Sequence, residues 1–342
     1  MKQYIVTIRK MVRAAEWWEY KLVPLLGIGY ATAFVSKTPL IEAVPTLLIA
    51  FVGLVIGAVF ASLINDVTDI DDDLEAGKKN RMAKFSERSR WVCLAGCLTL
   101  GVAFGIIIYP DLLSLFFYAM AWLSFILYSV PPIRLKIRGG IGVVCCACGE
   151  SLFPALFIVS EFIYYTGFSA HFWWFITVGI WAFASGLRAI LWHQFVDREN
   201  DINTNTNTFA TKVIPEKFRP VTTILFGVEL IAAIGMLLQI QLFVIWIGLL
   251  LYVVLVMIRY KRYTSIPIVL LTPANAQWQV LMMDFYQAFL PLSLLVAASL
   301  SQPWAWMILL AHAILFPKTI FIAARDYWRA VFYLYRKVVR YA

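Results

Sequence analysis

Charge is what this sequence has least of. Asp, Glu, Lys and Arg make up 14% of its 342 residues, little more than half of the ~25% usual in a soluble chain. That scarcity excludes a secreted enzyme, a disordered chain and a soluble nucleic-acid binder. Histidine is rarer still. Of the three present, His171 and His312 stand alone on separate segments, so no zinc-ligand spacing exists. The five cysteines, Cys93, Cys97, Cys145, Cys146 and Cys148, all fall inside apolar runs and read as small residues packed between helices, not as disulfides or a soft-metal site. No cleavable leader is expected, because the first 21 residues mix Lys2, Arg9, Lys10, Arg13, Glu16 and Lys21 with aromatic side chains and lack an uninterrupted apolar core.

What is present is apolar surface. Hydrophobic residues reach 62%, with a mean hydropathy of +0.79, and they would fill roughly ten spans of about 20 residues each. The chain therefore reads as an all-α polytopic membrane protein, one transmembrane domain over residues 1–342. An interfacial helix is expected over 1–20 and a basic cytoplasmic tail over 323–342. Candidate spans are 22–36, 42–64, 91–109, 111–130, 140–165, 172–195, 221–238, 241–258, 279–299 and 303–322. Lys and Arg test that count independently, because they collect on the cytoplasmic side. Of the 29 basic residues, only Lys37 falls in an opposite loop and only Arg188 deep inside a span, Lys318 lying at the cytoplasmic end of the last one, so ten helices with both termini cytoplasmic are expected.

Two cytoplasmic segments hold most of the available chemistry. In the run Asn65 to Asp73, Asp66, Asp69 and Asp73 are spaced i, i+3 and i+7, which on one helix stacks three carboxylates on a single face. Like charges so placed need a counter-ion, and Mg²⁺ supplies it, since it takes one or two carboxylates together with water and substrate phosphates. The rival reading is an acidic, solvated helix end, for which Asp71 and Asp72 would suffice. The second cluster places Asp197 and Asp201 at i and i+4, with His193 one turn earlier. His193 reads equally as a catalytic group bonded to a carboxylate or the diphosphate and as a packing histidine. Two such faces opening to one side of the membrane could hold two or three Mg²⁺ ions around one diphosphate, and the similar cluster closing a helix in each half hints at an internal duplication.

Cations are expected nearby to neutralise a departing diphosphate. Arg81 follows the first acidic helix closely enough to fold back over it, and Arg134 and Lys136 follow the Pro131-Pro132 break. Lys78, Lys79 and Arg138 read instead as anchors of helix ends. Arg188, buried a little over two turns before Asp197, is too costly to be accidental, and its angular offset sends it to a partner elsewhere.

These residues carry a family resemblance. Asn65, Asp66, Asp69 and Asp73 fit Asn-Asp-x-x-Asp-x-x-x-Asp, Asp197 and Asp201 fit Asp-x-x-x-Asp, and Tyr128-Ser129-x-Pro131-Pro132-x-Arg134-Leu135-Lys136 lies between them. In that order the three resemble the UbiA superfamily of intramembrane prenyltransferases over roughly residues 20–300. There are departures: Met82 follows Arg81 where the family often has Pro or Thr, and Asn205 stands where a glycine is usual. The resemblance implies nine helices around a central cavity opening to the cytoplasm, against the ten counted from hydropathy. It also implies Mg²⁺ held by Asp66, Asp69, Asp73, Asp197 and Asp201, and a diphosphate held by Asn65, Arg81, Arg134 and Lys136, with Tyr128 and His193 beside them. The implied reaction ionises a polyprenyl diphosphate in the bilayer and passes the prenyl group to an acceptor, aromatic or lipid-like. A terpene cyclase of the same superfamily is the near rival. A transporter of ions or lipids is the distant one, because transporter carboxylates belong near mid-membrane and these close the cytoplasmic ends of helices.

Overall fold

The structure is a computed structural model that describes residues 12–75, 77, 79–167, 172–203, 206–262, 270 and 280–341. Its elements are helices: α1 (Leu22–Val35), α2 (Val44–Thr68), α3 (Ile70–Glu75), α4 (Glu87–Ile107), α5 (Leu112–Ser129), α6 (Gly140–Thr166), α7 (Phe172–Val196), α8 (Arg198–Asn203), α9 (Pro215–Ile240), α10 (Phe243–Arg262), α11 (Phe285–Ser301), α12 (Trp306–Leu315) and α13 (Pro317–Tyr341). Among the described residues seven are long and apolar enough to cross a membrane, namely α2, α4, α5, α6, α7, α9 and α10. The chain is an integral, multi-pass membrane protein. α1 and α11 are shorter apolar helices.

α1 sits at the centre. Leu22, Val23, Leu25, Leu26, Ile28, Tyr30, Ala31 and Ala33 are all buried, the all-round burial expected of a helix without a polar face. It packs against the second half of α6 and against α11, while α7 packs on α9, α5 on α6, and α2 on α4. Close approach relies on small residues: a Cβ at Gly101 of α4 would collide with the ring of Trp122, which stacks on Phe60 at 4.2 Å.

Proline explains two local irregularities. α6 contains a π-helical turn at Cys148–Leu152 and α11 one at Phe285–Phe289, each followed by a proline, Pro154 and Pro291. Proline has no N–H to return to the carbonyl four residues earlier, so the helix widens there. The carbonyl freed by Pro291 belongs to Gln287, and it accepts from Thr319 Oγ1 at 3.4 Å. Gln287 in turn donates to the carbonyl of Tyr20, four residues before Pro24, at 3.3 Å.

The two halves share a register. α7 begins and ends 128 residues after α2. The same offset relates α8 to α3, the turn Ala210–Lys212 to Met82–Lys84, and the start of α9 to that of α4.

Some expectations need amending. Span 303–322 is not one straight helix, because α12 meets α13 at 89°, and the basic tail is the continuation of α13. Helix 1–20 falls largely outside the described residues; within them only Ala14–Trp17 is helical before the chain turns. Lys78, His171 and Asn205 also lie outside the described residues. All five cysteines are free thiols, and Cys145 Sγ donates across a helix interface to the carbonyl of Ser124.

Candidate functional site

The first acidic cluster is not on one unbroken helix. α2 ends at Thr68, and Asp69 leaves helical geometry at φ −107°, ψ 10° before α3 begins. The hydrogen bonds continue through the break, Asp69 N to Asn65 O at 3.0 Å and Asp73 N to Asp69 O at 2.8 Å. The carboxylates therefore stay in sequence order along the chain but take different partners. Asp66 is 3% exposed, with Arg13 Nη1 3.5 Å from its Oδ1 and Arg81 Nη1 3.9 Å from its Oδ2. Asp69 is bound by Lys136 and by Arg134 Nη2 at 3.1 Å. Asp73 accepts from Asn80 Nδ2 at 2.9 Å.

Asp72 is half-exposed but paired. Arg134 reaches it at 2.5 Å, so the guanidinium spans Asp69 and Asp72. Burial disfavours the charge on Arg134, but bonds and charge from both carboxylates outweigh it and raise its pKa. Arg134 itself sits at φ 38°, a left-handed conformation that costs a non-glycine residue about 1 kcal/mol or more. The turn after Pro131-Pro132 thus aims this side chain at the acidic break. Asn65 is held by the hydroxyl of Ser129. Arg81 is braced by Glu16, which binds Arg81 Nη2 at 3.0 Å and Arg13 Nε at 3.1 Å.

The second cluster repeats the construction. α7 ends at Val196, Asp197 lies at the break, and α8 follows. Asp197 N bonds to His193 O at 3.1 Å, and Asp201 N to Asp197 O at 2.9 Å. Asp201 is buried and accepts from Thr208 Oγ1 at 3.1 Å. Thr208 follows Asp201 by seven residues, as Asn80 follows Asp73. By this register Gln194 takes the place of Asp66, and it too is buried. The His193 side chain is exposed and stacks beside Trp192; it is Gln194 that faces inward. Tyr128, near the end of α5, packs on the buried cluster that includes Cys146 of α6 and Leu191 of α7, on the side of Asp69, Glu150 and Gln194. Glu150 is paired with Lys21.

The Arg138 guanidinium donates to the carbonyl of Pro132, six residues earlier, at 2.8 Å, as an anchor would. Arg188 finds its partner away from the site: Nε and Nη2 grip both oxygens of Glu229 on α9 at 2.7 and 2.6 Å, with both side chains fully buried. Residue-type patterns missed Asn80, Thr208, Gln194, Arg13 and Glu16. For Asn80 and Thr208 a signal existed in the constant 128-residue offset between the halves.

The UbiA prenyltransferase family model matches residues 22–265. The chain belongs to the UbiA prenyltransferase family. This UbiA-family chain is accordingly a prenyltransferase. Comparison with curated protein sequences gives no match. Among solved structures it resembles a UbiA homologue from Archaeoglobus fulgidus bound to GPP and Mg²⁺, at 17% identity and a TM-score of 0.55, covering 86% of this chain and 99% of that one. The same homologue bound to DMAPP and Mg²⁺ superposes with a TM-score of 0.51 at 15% identity, covering 85% and 98%. At such identities the likeness is one of fold.

Among the described residues no three Asp, Glu, His or Cys side chains are yet gathered closely enough to hold a metal ion. The donor set nevertheless suits Mg²⁺, because the carboxylates are hard oxygen ligands. One oxygen, Asp66 Oδ2, is buried and accepts no hydrogen bond; it has only the long ion pair with Arg81 at 3.9 Å, which leaves its lone pairs open to a closer cation.

Proposed function

We propose that this protein transfers the prenyl group of a polyprenyl diphosphate to an aromatic or lipid-like acceptor at the cytoplasmic ends of its helices, with Mg²⁺ as cofactor. The observation that supports this reading is the pair of acidic breaks, built alike and each closing a membrane helix, with Arg81, Arg134 and Lys136 gathered on the first. Asp66, Asp69, Asp73, Asp197 and Asp201 would hold the metal. Bound there, Mg²⁺ supplies positive charge against the diphosphate.

The chain's own residues do the rest. Arg81, Arg134 and Lys136 face negative charge growing on the leaving diphosphate as the allylic C–O bond breaks and its electron pair departs with oxygen. Each now rests on a carboxylate, so the site holds its cations in place before substrate arrives. Asn65, fixed by Ser129, is placed to donate its amide to a diphosphate oxygen. Tyr128, on the same side of the bundle as Asp69 and Gln194, would turn its ring to the allylic cation. The apolar helices keep water from that cation until the acceptor captures it, an aromatic acceptor then losing a proton. The A. fulgidus homologue, with GPP or DMAPP and Mg²⁺ bound, supports the choice of donor and metal.

In this reading the bundle has nine or ten helices around a cavity open to the cytoplasm, and both termini are cytoplasmic. Basic-residue asymmetry supports the orientation, since only Lys37 falls in an opposite loop. The test is incubation of purified protein with Mg²⁺ and a panel of prenyl diphosphates, with and without aromatic acceptors, followed by mass analysis. Acceptor-dependent prenylated product is expected. Diphosphate release without acceptor, accompanied by a cyclic hydrocarbon or alcohol, would instead assign a terpene cyclase.

A further inference from the structure

The family match ends at residue 265, and α13 lies beyond it. We propose that α13 is an interfacial helix that lies along the membrane surface and binds anionic phospholipid headgroups. Three stripes along it point there. Thr319 and Asp326, spaced i and i+7, are buried against the bundle. Phe321, Trp328, Phe332 and Tyr335, spaced i, i+7, i+11 and i+14, are exposed, Trp328 to 71%. Arg325, Arg329 and Arg336, at i, i+4 and i+11, are exposed on the adjoining stripe.

An exposed aromatic row beside a row of cations suits a helix whose apolar side enters the acyl boundary while its basic side meets headgroups. The charge is one-sided. Residues 317–341 contain Lys318, Arg325, Arg329, Arg336, Lys337 and Arg340 against a single acid, Asp326. That acid is already held from the bundle by Arg259 Nε at 2.9 Å, so its contact with Arg325, at 3.5 Å, offsets little of the basic charge. Arg336 lies over the Phe332 ring at 4.4 Å, which couples the basic and aromatic rows.

The attachments fix the helix direction. Glu19 caps its first turn, accepting from the backbone N–H of Lys318 and Thr319 at 2.9 and 2.8 Å. Further along, Tyr327 donates to the carbonyl of Leu251 on α10. With α12 turned 89° away, α13 is tethered along the edge of the bundle and keeps two stripes free. A zwitterionic surface would match the aromatic row but give the cations no net counter-charge, each phosphate being balanced by its own choline. An anionic leaflet satisfies both, each cation near it strengthening attachment roughly fivefold.

Hydrogen–deuterium exchange of the full-length protein tests this, in nanodiscs of phosphatidylcholine alone and in discs that also contain phosphatidylglycerol. Amides of residues 321–336 should exchange at least about tenfold more slowly in the anionic discs, and added salt should erase the difference. In Arg325→Gln/Arg329→Gln/Arg336→Gln the two discs should give equal rates, with amide protection in α7 unchanged as the control for folding. Trp328→Ala/Phe332→Ala should speed exchange in both discs. Equal rates for the unaltered protein in the two discs would overturn the proposal. So would full protection in phosphatidylcholine discs on adding soluble glycerol phosphate, which would assign the basic row to a free anion.

Discussion

Asn80 ties the first acidic break to the loop that carries Arg81, and Asn80→Ala measures that tie. Its amide donates to Asp66 O at 2.8 Å and to Asp73 Oδ2 at 2.9 Å, and its carbonyl accepts from Met82 N at 2.8 Å and Ala83 N at 3.1 Å. Three of these are neutral bonds worth about 1 kcal/mol net, and the one to a carboxylate is worth about 1.5–3. The total is about 4.5–6 kcal/mol if nothing replaces them. Met82 is buried, so its N–H has no ready exchange for water. The loss falls on a short loop, so local opening should precede global unfolding. Exchange of the Met82 and Ala83 amides, read by mass spectrometry in nanodiscs, should rise at least about a hundredfold, since even 3 kcal/mol of local stability corresponds to more than that. Diphosphate release should fall with it, because Arg81 loses its fixed approach to Asp66. Thr208→Ala serves as the internal comparison: it removes one carboxylate bond and should loosen residues 206–213 by about 1.5–3 kcal/mol without touching residues 79–85. Unchanged protection of Met82 and Ala83 in Asn80→Ala would refute the reasoning, as would equal loosening of residues 79–85 by Thr208→Ala.

Asp69→Ala and Asp197→Ala should each nearly abolish Mg²⁺-dependent diphosphate release, and their combination should cost little more, because residues acting as a unit are non-additive; multiplicative losses across a Mg²⁺ titration would separate the two clusters. Arg81→Ala should depress turnover well beyond Arg138→Ala, whose side chain meets the Pro132 carbonyl and no carboxylate among the described residues; equal losses in steady-state rates would return Arg81 to a membrane anchor. Glu229→Ala, leaving Arg188 charged and buried, should destabilise the fold by about 3–5 kcal/mol, whereas Arg188→Leu/Glu229→Leu should return close to the parent's unfolding midpoint. A double variant no more stable than Glu229→Ala would show that the pair does more than balance its own charge.

Composition and hydropathy alone determined that the chain is a polytopic helical membrane protein, because only helices and closed β-barrels satisfy backbone hydrogen bonds in a bilayer and its long apolar runs lack the alternation a barrel strand needs. Local spacing also grouped Asp66, Asp69, Asp73, Asp197 and Asp201 into two clusters, since that needs only the helical repeat. Arg134 and Lys136 were legible from their place after Pro131-Pro132, and they do reach Asp69. The bend between α12 and α13 was not, because an apolar run gives its length in the sequence but not its direction.

Partners were decided only by the tertiary structure. That Asp72 pairs with Arg134, that Arg188 grips Glu229 across a helix interface, and that His193 faces out while Gln194 faces in all depend on which neighbouring helix lies where. One-dimensional spacing fixes a side chain's angle about its own axis, not what waits at the end of it. The repeat between the halves lies in between. Its 128-residue register is written in the sequence, but it became readable only when two helix breaks and their Asn80 and Thr208 ties were seen to share one geometry, because hydrogen bonding selects for donor chemistry, which asparagine and threonine share, and not for residue identity.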